Sequence, residues 1–316
     1  MSADDALEHH SAHLNGIKQH YVRAGSGPAV MLLHGWPQTW YEWRHVIRLL
    51  GNEFTVVAPD LRGFGYSSKP ASGYDATTMA ADLAALSAHL GLKDITVVGH
   101  HWGAVFGYVY AASYPDHVSA LGIVEMVLPG VGVMEQAMSP APRGNFLWHM
   151  GFQSVPDLPE LLIQGKERPY LQWFYEHFAY DPSAIGASDI DVYVDVYVAA
   201  ITQVGALRAG LAVYQDYFTT AEQVAALAKK PLTIPVRAFG GEACLAGLTL
   251  TSVKAGGKPA RRRHRALRPL GSRGTAGLRR RHRSRPRQGG SSGQVKTFPG
   301  GGWVCSNPCL LMRRVA

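Results

Sequence analysis

The sequence Ile95-Thr-Val-Val-Gly-His-His-Trp-Gly-Ala104 decides the fold of this chain. Four β-branched residues lead into Gly99, two histidines and the start of a helical pattern, which predicts a buried strand and then a sharp turn into a helix. Gly99 and Gly103 flank position 101 by two residues on either side, which is the spacing of a nucleophile elbow. Such a turn presents one side chain at the top of the sheet, in front of the helix N-terminus. That side chain is His101, where nucleophilic catalysis usually needs Ser, Cys or Asp.

Other strand predictions alternate with helices along the chain. Short apolar runs predict buried strands at residues 29–33, 54–61, 118–124 and 234–241, and a helical period covers residues 76–90. Nearer the N-terminus, Asn15-Gly16 predicts a hairpin turn between two edge strands. Strands that alternate with helices about every 30 residues predict an α/β fold with a doubly wound, mostly parallel sheet.

Residues 128–225 interrupt this alternation. They are rich in Trp, Tyr, Phe and Leu and have a helical pattern, so we predict a helical cap inserted into the core. The core is then formed by residues 1–127 and 226–253. Residues 254–316 form a basic tail without a sustained apolar period, and we expect this tail to be aberrant or disordered.

The net charge of +8 is the sum of two unlike parts. Residues 1–242 contain 14 Lys and Arg against 23 Asp and Glu, a net charge of −9, and the other 17 of the 31 basic residues all follow Glu242. Runs of arginine attract phosphates. Since no Phe, Tyr or Trp lies between Arg261 and Arg287 and no known binding module accompanies these arginines, we expect no specific nucleic-acid binding.

The composition also predicts a cellular compartment. No apolar stretch has the roughly 20 residues of a membrane span, and no signal-peptide pattern precedes the core. The three cysteines form no disulfide framework. We therefore predict a cytoplasmic protein without a membrane partner, and the sequence leaves its oligomeric state open.

Several motifs together resemble those of a known enzyme group. His34-Gly-Trp-Pro37, Asp60-Leu-Arg-Gly-Phe-Gly65 and Gly99-His-His-Trp-Gly103 follow in the order and spacing of α/β-hydrolase-fold enzymes. The longer stretch His34-Gly-Trp-Pro-Gln-Thr-Trp-Tyr-Glu-Trp-Arg44 is similar to the branch of epoxide hydrolases and haloalkane or haloacetate dehalogenases. This resemblance covers residues 14–247.

The resemblance implies a mechanism and a set of site residues. In that branch an elbow Asp attacks the substrate carbon to form an alkyl-enzyme ester, and a His oriented by an acid activates water to hydrolyse it. By this resemblance the backbone N–H groups of Trp36 and Trp102 form the oxyanion hole. Glu125 takes the place of the charge-relay acid. Tyr214 and His149 correspond to the cap pair that opens an epoxide ring or holds a halide.

The predicted pocket holds a small apolar substrate or ligand and includes His34 and Trp148. Most of the proposed site residues also have a simpler interpretation: packing for Trp36, a solvated strand end for Glu125, one of 14 tyrosines for Tyr214, and a satisfied core histidine for His149. We predict no cofactor and no metal site. The histidines at 34, 100, 101 and 149 lack ligand spacing on one element.

The first departure from the family pattern is His101 in place of Asp. Imidazole can attack carbon, but an N-alkyl imidazole has no acyl carbon for water to attack. We therefore predict no turnover of epoxides or organohalides, while a labile acyl-imidazole leaves trace esterase activity open. The interpretation that we favour places His101 at the pocket floor, hydrogen-bonded to a neighbour.

The second departure is the absence of the base. The family's base His lies in a Gly-His-Trp segment after the last strand, and no such segment follows Gly241. In a shifted reading frame, the codons of residues 264–276 permit Ile-Glu-Arg-Cys-Gly-His-Trp-Val-Ala-Glu-Glu-Arg-Pro. We therefore hypothesise a frameshift between about Val253 and Arg261. The sequence leaves two functions open: a hydrolase that is inactive or impaired as written, or a non-catalytic small-molecule-binding protein.

Overall fold

A computed structural model of the chain describes residues 7–134, 138, 147–178, 187–240 and 246–255. The strands are β1 (Glu8–Leu14), β2 (Ile17–Ala24), β3 (Ala29–Leu33), β4 (Thr55–Pro59), β5 (Ile95–His100), β6 (Val118–Val124) and β7 (Val236–Phe239). The helices are α1 (Arg44–Leu50), α2 (Ala76–His89), α3 (Trp102–Ser113), α4 (Trp148–Gln153), α5 (Leu158–Ile163), α6 (Glu167–His177), α7 (Ala187–Ile201), α8 (Ala206–Gln215), α9 (Tyr217–Ala228) and α10 (Ala246–Ala255).

The described strands form one seven-stranded sheet in the order β1-β2-β4-β3-β5-β6-β7. β1 pairs with β2 and β2 with β4 in antiparallel orientation, and the remaining pairs are parallel. The strand order reverses at β3, which lies between β4 and β5. In such sheets the crevice beyond the carboxyl ends of the strands at the reversal is the usual ligand site. The prediction of a doubly wound, mostly parallel sheet is confirmed.

Helices cover both faces of the sheet, which explains why the strands are apolar throughout. All five residues of β3 and all five of β4 are buried. On one face, Trp43 and Ile47 pack against strand residues such as Val56. On the other face, α2 and α3 form a larger core. Burial of each such aliphatic side chain contributes about 1.5–3 kcal/mol to the free energy of folding.

The loop after β4 is held by buried carboxylates. Asp60 accepts hydrogen bonds from the backbone N–H groups of Trp40 at 2.8 Å and Tyr66 at 2.9 Å, and it contacts His20 Nδ1 at 2.8 Å. Asp82 on α2 accepts two hydrogen bonds from the Arg62 guanidinium, at 2.7 and 2.8 Å. Asp60 and Arg62, the charged residues of the Asp60–Gly65 motif, therefore hold the loop that follows β4 in place.

Helices α4 to α9 lie between β6 and β7 in the chain. Contacts from α9 anchor this helical segment to the start of α2: Thr220 Oγ1 accepts the Ala76 N–H at 3.1 Å, and Gln223 donates to Asp75 at 2.7 Å. The boundaries 128–225 for a cap and 226–253 for the resumed core stay predictions. No single helix in the described ranges is long and apolar enough to cross a membrane. By length and composition alone, one pair bent by 89°, Asp191–Ile201 with Ala206–Gln215, would qualify.

The described chain ends in α10, which packs beside β7. Ser252 Oγ accepts the Leu128 N–H at 3.1 Å, and Thr249, Ser252 and Val253 are buried. Of the predicted tail 254–316, only residues 254 and 255 belong to the described chain, and they complete α10. The expected disorder and the hypothetical frameshift otherwise concern residues outside the described ranges.

Candidate active site

His101 forms the turn between β5 and α3. Its backbone has φ 52° and ψ −126°, in the left-handed half of conformational space that non-glycine residues enter at a cost of about 1–3 kcal/mol. The two flanking positions must be glycine because neighbouring backbone atoms leave no room for a Cβ atom there. A Cβ on Gly99 would overlap the backbone of Gly103, and a Cβ on Gly103 would overlap the carbonyl of Leu33. The geometry is that of a nucleophile elbow carrying an imidazole.

The His101 imidazole lies against the backbone at the end of β3. Its Nδ1 accepts a hydrogen bond from the Trp36 N–H at 3.3 Å, and the residue is 4% exposed. Because Nδ1 acts as the acceptor, the proton of a neutral His101 is assigned to Nε2. The Trp36 N–H, predicted to serve the oxyanion hole, therefore points at position 101 and is occupied by the side chain there.

Burial makes His101 and His149 neutral at ordinary pH. Burial, followed by the repulsion between protonated imidazoles that His100 and His149 would add, holds the pKa of His101 well below its ordinary value. Burial lowers the pKa of His149 on α4 to about 3. The two ring centroids are 6.5 Å apart. A neutral imidazole retains one N–H donor, so His149 can still donate a hydrogen bond to a ligand oxygen.

Tyr214 on α8 lies over the elbow. Its side chain is fully buried, with ring centroids 6.4 Å from His101, 6.2 Å from His149 and 5.3 Å from Trp102. Burial raises the pKa of Tyr214 well above its ordinary value, which keeps the phenol protonated as a donor. The structure therefore brings together five residues predicted for the site: Trp36, His101, Trp102, His149 and Tyr214.

A cavity of about 60 Å³ opens beside these residues. A cavity that holds a single water has a volume of roughly 10–15 Å³ when it is measured in the same way. The space therefore suits a small organic molecule or a few waters. It is lined by Trp36, Pro37, Gln38, His100, His101, His149, Leu171, Phe174, Tyr175, Phe178 and Tyr214. Aromatic and aliphatic side chains dominate this lining, with polar groups at defined points, which is typical of a small-molecule site.

The two residues predicted from the sequence as pocket residues lie behind this lining. His34 is fully buried, with Nδ1 2.8 Å from the Gly35 carbonyl and Nε2 accepting the Leu61 N–H at 3.0 Å. Trp148 is half-buried and stacks on Phe174 with ring centroids 5.8 Å apart. His34 supports the loops around the site, and Trp148 supports one aromatic wall of the cavity.

Glu125 follows β6 with a φ of 47° and is 5% exposed. Its N–H donates to the Phe239 carbonyl at 2.9 Å, which joins it to the end of β7. Its carboxylate is close enough to His100 to raise the pKa of that imidazole. The described residues that follow β7, up to residue 240 and from 246 to 255, contain no histidine. Within the described part of the chain, the Glu125 carboxylate therefore acts on the imidazole of His100 and not on a histidine after β7.

His100 forms an ion pair that the sequence analysis missed. Its Nδ1 lies 2.6 Å from Glu42 Oε1, and both side chains are at least nine-tenths buried. The other Glu42 oxygen accepts the Gly35 N–H at 3.3 Å. Burial lowers the pKa of His100, but the Glu42 carboxylate outweighs burial and raises the pKa overall. Both residues lie in quoted motifs, yet only the adjacency of β3 and β5 brings them together.

In the described ranges, no group of three or more His, Cys, Asp or Glu side chains has the arrangement of a metal site. The histidines around position 101 lie against aromatic side chains and carboxylates.

Comparisons with known proteins agree with this geometry. Residues 28–178 match the α/β hydrolase fold family. The chain is 40% identical over 238 residues to a soluble epoxide hydrolase of Corynebacterium sp. (strain C12). The aligned region covers 74% of this chain and 81% of that protein. It is 36% identical over 175 residues to a fluoroacetate dehalogenase of Burkholderia sp., covering 54% and 56% of the two chains.

A solved structure gives the same result in three dimensions. The crystal structure of wild-type Cfl2 from Burkholderia cenocepacia matches with a TM-score of 0.74 and 35% identity, over 82% of this chain and 88% of that one. The fold and the elbow define an α/β-hydrolase. The chain belongs to the epoxide hydrolase and dehalogenase branch of the α/β-hydrolase-fold superfamily, as its motifs predicted.

Proposed function

We propose that this chain is an epoxide hydrolase-like protein that binds a small epoxide or organohalide but does not turn it over. The observation that carries this proposal is the hydrogen bond from the Trp36 N–H to His101 Nδ1. In a neutral imidazole Nδ1 is then the nitrogen with the lone pair. That lone pair is engaged by the donor that an oxyanion would need.

The product of a direct reaction between His101 and an epoxide supports the same conclusion. If His101 attacks an epoxide carbon, a C–N bond forms, the ring C–O bond breaks, and the released alkoxide takes the Tyr214 proton. The product is an N-alkyl imidazolium, which contains no acyl carbon. Water has no ester to hydrolyse, so each such event consumes one protein molecule and releases no diol.

The ligand-binding half of the family's site is retained in this proposal. Tyr214 and His149 supply donors for an epoxide oxygen or a halide, and the N–H of Trp102 lies at the N-terminus of α3, where helix amides lack intrahelical partners. Helices from residues 128–225 act as the cap over the cavity, and Glu125 keeps the position of the charge-relay acid. No cofactor takes part.

The test is incubation of the intact chain with 1,2-epoxybutane, followed by diol quantification and intact-protein mass spectrometry. We expect diol only at the rate seen in buffer. A slow mass increase equal to one epoxide, mapped to His101, would be consistent with self-alkylation. Catalytic diol formation, with many turnovers per protein molecule, would overturn the proposal.

A second candidate function is a non-catalytic binding protein for small apolar molecules. The well-defined cavity with an aromatic lining favours it. Reversible binding of the diol or epoxide without any mass increase separates this function from an impaired enzyme. The cytoplasmic location and the absence of nucleic-acid and membrane partners remain predictions.

A further inference from the structure

The cavity lining has a second polar group besides Tyr214 and His149, the imidazole of His100. The His101 ring centroid lies 6.1 Å from that of His100 and 6.4 Å from that of Tyr214. Tyr214 and His149 form the polar group already described. His100 also lines the cavity and forms an ion pair with Glu42, which is not part of the lining.

The two nitrogens of His100 have different surroundings. Nδ1 lies 2.6 Å from Glu42 Oε1 in a buried ion pair. Nε2 is buried and has no hydrogen-bond partner among the residues that the structure describes. His100 is 4% exposed and contributes to the cavity wall. A buried polar atom without a partner is destabilising, so a ligand atom that accepts a hydrogen bond from Nε2 removes that cost.

The charges around His100 decide which ligand atom fits. The Glu42 carboxylate beside Nδ1 favours the imidazolium, in which Nε2–H is a donor. Glu42 and Glu125 both place negative charge beside this histidine. A ligand carboxylate would meet two like charges in a buried site, whereas an uncharged hydroxyl or carbonyl oxygen accepts the hydrogen bond without that repulsion.

We propose that His100, held by Glu42, donates a hydrogen bond from Nε2 to a second, uncharged oxygen of the ligand. The cavity therefore prefers small epoxides or diols that carry a further hydroxyl or carbonyl group over purely hydrocarbon analogues. This inference rests on the proposed function only in taking the same cavity as the ligand site. His100 is assigned to specificity, and no bond-breaking step is attributed to it.

The test compares two probes that differ in one group. The probe 1,2,4-butanetriol carries a terminal hydroxyl where 1,2-pentanediol carries a methyl group. Both are titrated into the full chain labelled with ¹⁵N-histidine, and binding is followed by the ring-nitrogen signals. We expect the triol to bind about tenfold more tightly, the effect of one buried hydrogen bond of about 1.4 kcal/mol. The triol alone should shift the His100 Nε2 signal.

Variants assign the preference to the ion pair. His100→Phe alone would leave Glu42 unpaired, so the double variant H100F/E42Q is used, and E42Q alone serves as a second variant that keeps the imidazole. We expect the double variant to bind both probes equally and E42Q to reduce the preference. His13→Gln on the exposed side of β1 is the matched control and should keep the wild-type ratio.

Three results would overturn the inference: equal binding of the two probes by the wild-type chain, an unchanged preference in H100F/E42Q, or no binding of either probe. The affinity ratio does not depend on turnover. Diol formation from an epoxide would therefore contradict the proposed function while leaving the His100 preference standing, and the two failures can be told apart.

Discussion

The backbone N–H of Trp36 donates a hydrogen bond to Nδ1 of His101 over 3.3 Å, so the end of β3 is joined to the elbow between β5 and α3. The donor lies where an α/β-hydrolase stabilises negative charge on its substrate or intermediate. In this chain a neutral imidazole fills that place. The hydrogen bond stabilises the strained elbow and leaves the site with a donor that is already satisfied.

A carboxylate at position 101 is predicted to form a single covalent ester with an epoxide, and this ester is not hydrolysed. In His101→Asp, the carboxylate oxygen attacks the epoxide carbon, the ring C–O bond breaks, and the alkoxide takes a proton from Tyr214. Hydrolysis of the resulting ester needs a base, and the described residues after β7 contain no histidine. Intact-protein mass spectrometry should show an increase of one epoxide mass that persists for hours.

His101→Asn is the matched control, because its amide has the shape of Asp without the nucleophilic charge. It should show no mass increase under the same conditions. If His101→Asp instead returns to its original mass and releases diol, a group within the chain acts as the base. The absence of turnover would then be due to position 101 alone.

Tyr214→Phe is predicted to slow ester formation in the His101→Asp background. Burial keeps the phenol protonated, and its loss removes the proton donor for the leaving alkoxide. General-acid groups contribute about 10²–10⁴-fold, so the rate of mass increase should fall by about a hundredfold or more. Tyr66→Phe, at a tyrosine that is 63% exposed, is the control and should react at the parent rate. An unchanged rate in Tyr214→Phe would remove Tyr214 from the reaction.

Local sequence patterns predicted the elements that position the site. The strand from Ala29 to Leu33 and the hairpin turn at Asn15-Gly16 were predicted, because apolar runs and turn residues act over a few positions. The elbow also followed from the glycine spacing. The Glu42–His100 pair was missed because it depends on which strands become neighbours. His34 belongs to a recognisable motif, but no local pattern shows that its two nitrogens serve backbone groups behind the cavity.

The glycines of the elbow give a prediction for stability. Gly99→Ala places a methyl group against the backbone of Gly103, and neither segment can move without distorting β5 or α3. Overpacking of this kind costs about 1–3 kcal/mol or more. Gly151→Ala on α4 meets nothing within 4 Å and should be neutral or stabilising by up to about 1 kcal/mol. Urea unfolding of the two variants measures the difference, and equal stabilities would contradict the close packing of the elbow.

The buried histidines predict that stability falls in mild acid. His34, His101 and His149 all have a pKa lowered from the ordinary value, chiefly by burial. As the pH falls below about 6.5, the unfolded chain binds protons that the folded chain excludes. Their stabilising contribution is therefore complete above that pH and is lost progressively below it. His100 has a raised pKa and acts in the opposite direction, with a contribution that is lost as the pH rises.

His149→Phe isolates one member of this group. Its pKa of about 3 means that the folded chain does not protonate this histidine between pH 6 and pH 4. Each such histidine contributes a slope that approaches about 1.4 kcal/mol per pH unit well below pH 6.5, so between pH 7 and pH 5 the variant should lose about 1 kcal/mol per pH unit of the wild-type slope. Urea unfolding at pH 7, 6 and 5 gives the slopes of both proteins, with His13→Gln as an exposed control. If His149→Phe keeps the wild-type slope, His149 is protonated as readily in the folded chain as in the unfolded one, and its assignment as a neutral donor in the cavity is wrong.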